Sequence, residues 1–100
     1  MQQGNNVQVL TDEAGHKIAE CEYVDGKPHG KSRVWTSSGK LLQEFELSNG
    51  AYHGAYRTWW ENGAKKEEGT FQNGHRVGTY RWYAKDGSLL QEHDYGAGDF

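Results

Sequence analysis

Gly54-Ala55-Tyr56-Arg57-Thr58-Trp59-Trp60-Glu61-Asn62-Gly63, followed by Ala64-Lys65-Lys66-Glu67-Glu68-Gly69-Thr70-Phe71-Gln72-Asn73-Gly74, is one unit of a pattern that runs through the chain. Gly15, Gly39, Gly63 and Gly87 stand 24 residues apart. The same step carries Gly26, Gly50 and Gly74; Gly30, Gly54 and Gly78; Arg33, Arg57 and Arg81; Trp35, Trp59 and Tyr83; and Glu20, Glu44, Glu68 and Glu92. Several columns holding one register are a tandem repeat, in which one supersecondary unit is stacked on copies of itself. A repeat builds a surface. Catalysis needs different residues converging on one point, which a repeat does not supply.

Within the quoted unit, Ala55–Trp60 is rich in aromatics and threonine and reads as a strand. Glu61-Asn62-Gly63 reads as a three-residue hairpin loop, with glycine accepting the positive φ that the loop requires. Ser37-Ser38-Gly39, Lys85-Asp86-Gly87 and Glu13-Ala14-Gly15 fill the same slot. The return strand spans roughly residues 64–71. Asn73-Gly74 then opens a second turn, read as closing at Gly78 before the next strand. No segment keeps a helical period. The predicted fold is all-β: a single-layer, twisted antiparallel meander of about eight strands. The chain divides into a degenerate cap at about 6–26 and repeats at about 27–50, 51–74 and 75–98, together one domain. In the cap, Val7-Gln8-Val9-Leu10 takes the first-strand place without ring or arginine, and Thr11 stands where Trp35 stands later.

Composition narrows the function. The 100 residues are 34% hydrophobic and 13% aromatic, with four tryptophans, and the mean hydropathy is −1.01. Apolar area is therefore concentrated in a few large rings, too many for a disordered chain. A net charge of −3 offers no basic footprint for nucleic acid or an anionic membrane. No run of residues has the length and apolarity of a membrane span. The lone Cys21 excludes an internal disulfide and a multi-cysteine zinc cage. Met1-Gln2-Gln3-Gly4-Asn5-Asn6 has neither the basic flank nor the apolar stretch of a signal peptide. That fits the cytoplasm if the chain is complete, and the periplasm or envelope if a signal has been removed. The final strand is expected to be an open edge, with Gly96-Ala97-Gly98-Asp99-Phe100 stopping where the next turn would form.

The loop type sets an expected register. It places Trp59 opposite Lys65, Arg57 opposite Glu67 and Tyr56 opposite Glu68. One face then collects Trp35, Leu41, Phe45, Leu47, Trp59, Phe71, Tyr83, Leu89 and Tyr95, the core row, with Arg33, Arg57 and Arg81 laid over its rings. The other carries Glu44, Glu68 and Glu92 with Tyr56, Trp60, Tyr80 and Trp82. Val34 and Thr58 occupy the position of Trp82, so that ring lies outside the repeat rule, as an interface anchor does.

Chemistry is sparse. His29 and His53 are one period apart, but Val77 replaces the third and His75 is out of phase, short of the convergent ligands that zinc needs. No metal or cofactor is expected. The glutamate column reads as a surface column paired with Lys66 or solvent rather than as an acid–base pair. Cys21 lacks a nucleophile setting, and turns such as Gly26–Gly30 lack the phosphate-loop lysine.

The spacing G-x-x-x-x-W-x-x-x-G-x-x-x-x-E-x-x-x-x-x-G-x-x-x-G resembles the MORN repeat, most of all its bacterial antitoxin-like variant. The fullest match is Gly54, Trp59, Asn62-Gly63, Glu68, Asn73-Gly74 and Gly78. Two further matches run through Gly30, Trp35, Gly39, Glu44 and Asn49-Gly50, and through Gly78, Tyr83, Gly87 and Glu92. Tyr56-Arg57-Thr58 and Tyr80-Arg81-Trp82 stand where eukaryotic units carry Tyr-x-Gly. The resemblance implies a non-catalytic binding module, with a toxin as client neutralised by direct binding. It also brings two alternatives, a self-associating or envelope scaffold and attachment to a lipid surface. A sheet with no helices to cover it points to a protein partner or a homodimer. The expected anchors are Tyr56, Trp60, Tyr80 and Trp82, with Glu44, Glu68 and Glu92 offering acceptors to a basic partner.

Overall fold

The computed structural model describes residues 5–97. The expectations for Met1–Gly4 and Gly98–Phe100 lie outside it. Eight strands follow one another as β1 (Asn5–Thr11), β2 (Lys17–Val24), β3 (Lys27–Trp35), β4 (Leu41–Ser48), β5 (Ala51–Trp59), β6 (Lys65–Gln72), β7 (His75–Tyr83) and β8 (Leu89–Asp94). They form one antiparallel sheet in sequence order. Its extents of 47 × 39 × 12 Å are those of a single layer. The described residues contain no helix, and β1 and β8 are its two edges.

Two kinds of turn alternate. In the wider loops Trp60 N–H donates to Ala64 O at 2.8 Å and Gly63 N–H to Trp60 O at 2.9 Å, as the three-residue loop requires. The narrower turns are tighter than expected. Asp25, Asn49 and Asn73 have φ of 51°, 50° and 49°, each followed by a positive-φ glycine. These are two-residue turns with both central residues at positive φ, the kind whose twist matches the right-handed twist of the flanking strands. The next strand therefore starts directly after Gly74, and Gly78 lies inside β7 rather than at the close of a turn.

Two sets of bulges set the register. Next to each wide loop the return strand carries one extra residue. Thr58 pairs with Glu67 and Trp59 with Lys65, leaving Lys66 unpaired. Ile18, Leu42 and Leu90 are skipped in the same way. A single insertion reverses the side-chain parity of the rest of the strand. Trp59 does face Lys65, but Arg57 faces Glu68 and Tyr56 faces Gly69. The expected faces are corrected accordingly. Phe45, Leu47, Phe71 and Tyr95 share a face with Tyr56, Tyr80 and Trp82, while Glu44, Glu68 and Glu92 lie with Arg33, Arg57 and Arg81.

The second set lies near the narrow turns and shifts the register by two, which preserves parity. At two of these bulges the opposing residue is a glutamate, and its carboxylate lies against the glycine. A Cβ on Gly30 or Gly54 would meet the carboxylate of Glu22 or Glu46. The Glu22 carboxylate accepts the Lys31 N–H at 2.6 Å, which satisfies a donor that the bulge removes from the ladder.

The core is thin and lies on the aromatic face. Tyr80 is wholly buried, Thr58 and Ser32 are nearly so, and Phe71 is 9% exposed. Large exposed apolar side chains collect at the sheet edges instead: Val7, Val9 and Leu10 on β1, and Leu89 and Leu90 on β8.

Candidate protein-binding surface

Aromatic residues on β4 to β8 and just beyond make one continuous row. Ring centroids are 5.9 Å apart for Phe45–Tyr56, 5.2 Å for Tyr56–Phe71, 6.0 Å for Phe71–Tyr80 and 6.3 Å for Tyr80–Tyr95. Tyr52 adds a ring above Phe45, Tyr56 and Phe71, at 5.3, 5.4 and 5.0 Å. Trp82 closes on Tyr80 at 4.7 Å. Tilted and edge-to-face pairs of this kind add about 0.5–1.5 kcal/mol each beyond area burial.

The row is deepest at Tyr80. Its ring crosses Gly69, where any Cβ would collide with it. Its hydroxyl donates to the Glu67 carboxylate at 3.0 Å, and Thr58 Oγ1 donates to the other oxygen at 3.4 Å. Burial, and then the Glu67 charge, push the Tyr80 phenol well above its ordinary range. Burial likewise raises Tyr56.

The expected anchors separate. Tyr56 and Trp82 are half-buried on the aromatic face, and Tyr80 lies beneath them as support. Trp60 sits in a wide loop, where its indole N–H donates to Tyr83 O at 3.1 Å. Beside it Asn62 Nδ2 donates to Lys85 O at 2.9 Å. Both bonds tie this loop to the next one, so Trp60 serves the stacking of hairpins.

The glutamates belong to the opposite face, where they are already engaged. Arg33 holds Glu44 at 2.9 Å and Glu20 at 3.2 Å; Arg57 reaches Glu44 at 3.7 Å, and Arg81 holds Glu92 at 3.2 Å. Glu68 accepts from Lys65 at 3.0 Å and from the Tyr83 hydroxyl at 3.4 Å. This corrects the expected pairing with Lys66, whose ammonium lies over the Trp60 ring. It also corrects the expected placement of the arginines over rings. Lysines fill that role on this side of the chain, with Lys17 over Trp35 and Lys65 over Tyr83.

Two residues of the aromatic face escaped the sequence reading. Tyr52 is 37% exposed, and the Arg76 guanidinium lies 4.8 Å from the centroid of the Tyr80 ring. They stand 24 residues apart, and that shared column was the signal available. The histidine column has a structural role instead. His29 Nδ1 accepts the Asn49 N–H and His53 Nδ1 the Asn73 N–H, each at 3.2 Å, so each ring links successive narrow turns. Among the described residues no three His, Cys, Asp or Glu side chains are grouped to hold a metal ion, and no helix is long and apolar enough to cross a membrane.

No curated protein and no solved structure matches the chain. The two hairpins β5–β6 and β7–β8, which carry most of the aromatic row, are those that a family model matches: residues 52–73 and 76–96 match the MORN repeat variant.

Proposed function

We propose that this chain is a non-catalytic binding module that holds a protein partner against its aromatic face. MORN repeats are binding modules, and residues 52–73 and 76–96 carry that repeat. The observation that supports this reading is the unbroken row of rings on a sheet face over which the described residues place no second layer. Aromatic side chains dominate interface hot spots because they bury large area at low entropic cost. The proposed contact residues are Tyr52, Tyr56, Trp82 and Tyr95, with Tyr80 fixing their positions from below. The specific client we propose is a toxin, neutralised by occlusion.

A pull-down from the source organism tests this with wild-type protein beside Tyr52→Ala/Trp82→Ala. The expected result is a partner retained by wild type and lost from a variant that keeps its β-sheet circular dichroism. Equal retention by the folded variant would sink the proposal. A second reading is self-association along the sheet edges, favoured by the exposed Val9 and Leu10 on β1 and Leu90 on β8. A sedimentation coefficient that rises with concentration supports it, and a constant monomer value rejects it.

A further inference from the structure

The chain has four arginines. Arg33, Arg57 and Arg81 each meet a glutamate on the charged face. Arg76 has no ion-pair partner among the described residues. It lies on the aromatic face, where its guanidinium carbon is 4.8 Å from the Tyr80 centroid, 5.7 Å from Phe71, 5.9 Å from Tyr95 and 6.0 Å from Trp82. The nearby carboxylate, Glu67, accepts from Tyr80 and Thr58 through its two oxygens. Arg76 nevertheless remains exposed as a residue.

This arrangement has a definite chemistry. Ring faces hold the guanidinium plane. One of its in-plane N–H donors is directed at the Tyr80 hydroxyl, and Glu67 attracts it from beyond ion-pair distance, which leaves its other donors for a partner. Those donors form a rigid fork matched to a carboxylate. The surrounding rings reduce the local dielectric and the rotamer freedom that such a pair must lose. In the preceding hairpin the same repeat position is Tyr52, whose ring packs on Phe45, Tyr56 and Phe71. One hairpin thus presents a ring, and the next presents a cation held by rings.

We infer that Arg76 is the charge anchor of the aromatic face and receives an aspartate or glutamate side chain of the protein partner, with apolar groups of that partner beside it on Tyr52 and Tyr95. This rests on the proposed binding role of that face, and it reverses the charge expected of the partner, since the glutamates opposite are already neutralised.

The test uses the full chain and two peptides, N-acetyl-Leu-Glu-Leu-amide and its Gln counterpart, at millimolar concentration. The Arg76 Nε–H and Trp82 indole N–H resonances report binding. The Glu peptide is expected to shift both saturably, about tenfold more tightly than the Gln peptide, as one charge-assisted pair provides. In Arg76→Gln that preference should vanish, whereas Arg76→Lys should keep part of it. Equal affinity for the two peptides, or no saturable shift with the Glu peptide, overturns the inference. The wild-type comparison decides this even if a variant fails to fold. Partner capture that is lost in Tyr52→Ala/Trp82→Ala but kept in Arg76→Gln would overturn the charge anchor and leave the binding face standing.

Discussion

At the scale of single residues, Gly69 and Tyr80 show how a repeat can be individualised. The position of Gly69 is Phe45 one period earlier and His93 one period later, so the pattern does not ask for glycine there. The Tyr80 ring does, because it crosses the space that a Cβ would fill. Gly69→Ala is therefore expected to destabilise the fold by about 1–3 kcal/mol, the usual cost of overpacking a filled site. Urea denaturation measures this, and an unchanged midpoint would mean that the ring does not lie across Gly69. The rings themselves were legible in the sequence. That Tyr80 is the most deeply buried of them was not, because burial depends on Arg76, Trp82 and Tyr95 arriving from other positions to cover it.

At the scale of elements, the wide loops and the strand count follow from the sequence, but the faces do not. The register next to a loop was read from its length. One unpaired residue, Lys66 in the best-conforming unit, then reversed every side chain beyond it. The signal was present, since Ile18, Leu42 and Leu90 are branched aliphatics in one column, but in the best-conforming unit that column holds Lys66. The histidines are a second element-scale device. Each accepts a backbone N–H from the turn of the following hairpin. His53→Ala should cost no more than about 1 kcal/mol, the net worth of one such bond, and should speed hydrogen exchange at the Asn73 amide while sparing Asn49. If both amides responded alike, the link would be global rather than turn to turn.

At the scale of the whole molecule, each hairpin rests only on its neighbours, so stability should grade along the sheet. Thr58, Phe71 and Tyr80 are buried on β5 to β7, whereas every residue of β8 is exposed and β1 is exposed from residue 6 onward. Native-state hydrogen exchange should accordingly be slowest in β5–β7 and fastest at the two edges. Uniform protection across all eight strands would indicate one cooperative unit. The sequence by itself determined the period, the hairpin, the meander and the aromatic content, because turn chemistry and strand propensity act within a few residues. Only the tertiary structure decided which rings meet, which glutamates are already paired, and that Arg76 lies among aromatics. Those outcomes depend on bulges whose one-residue shifts carry across the sheet, and no local pattern records their sum.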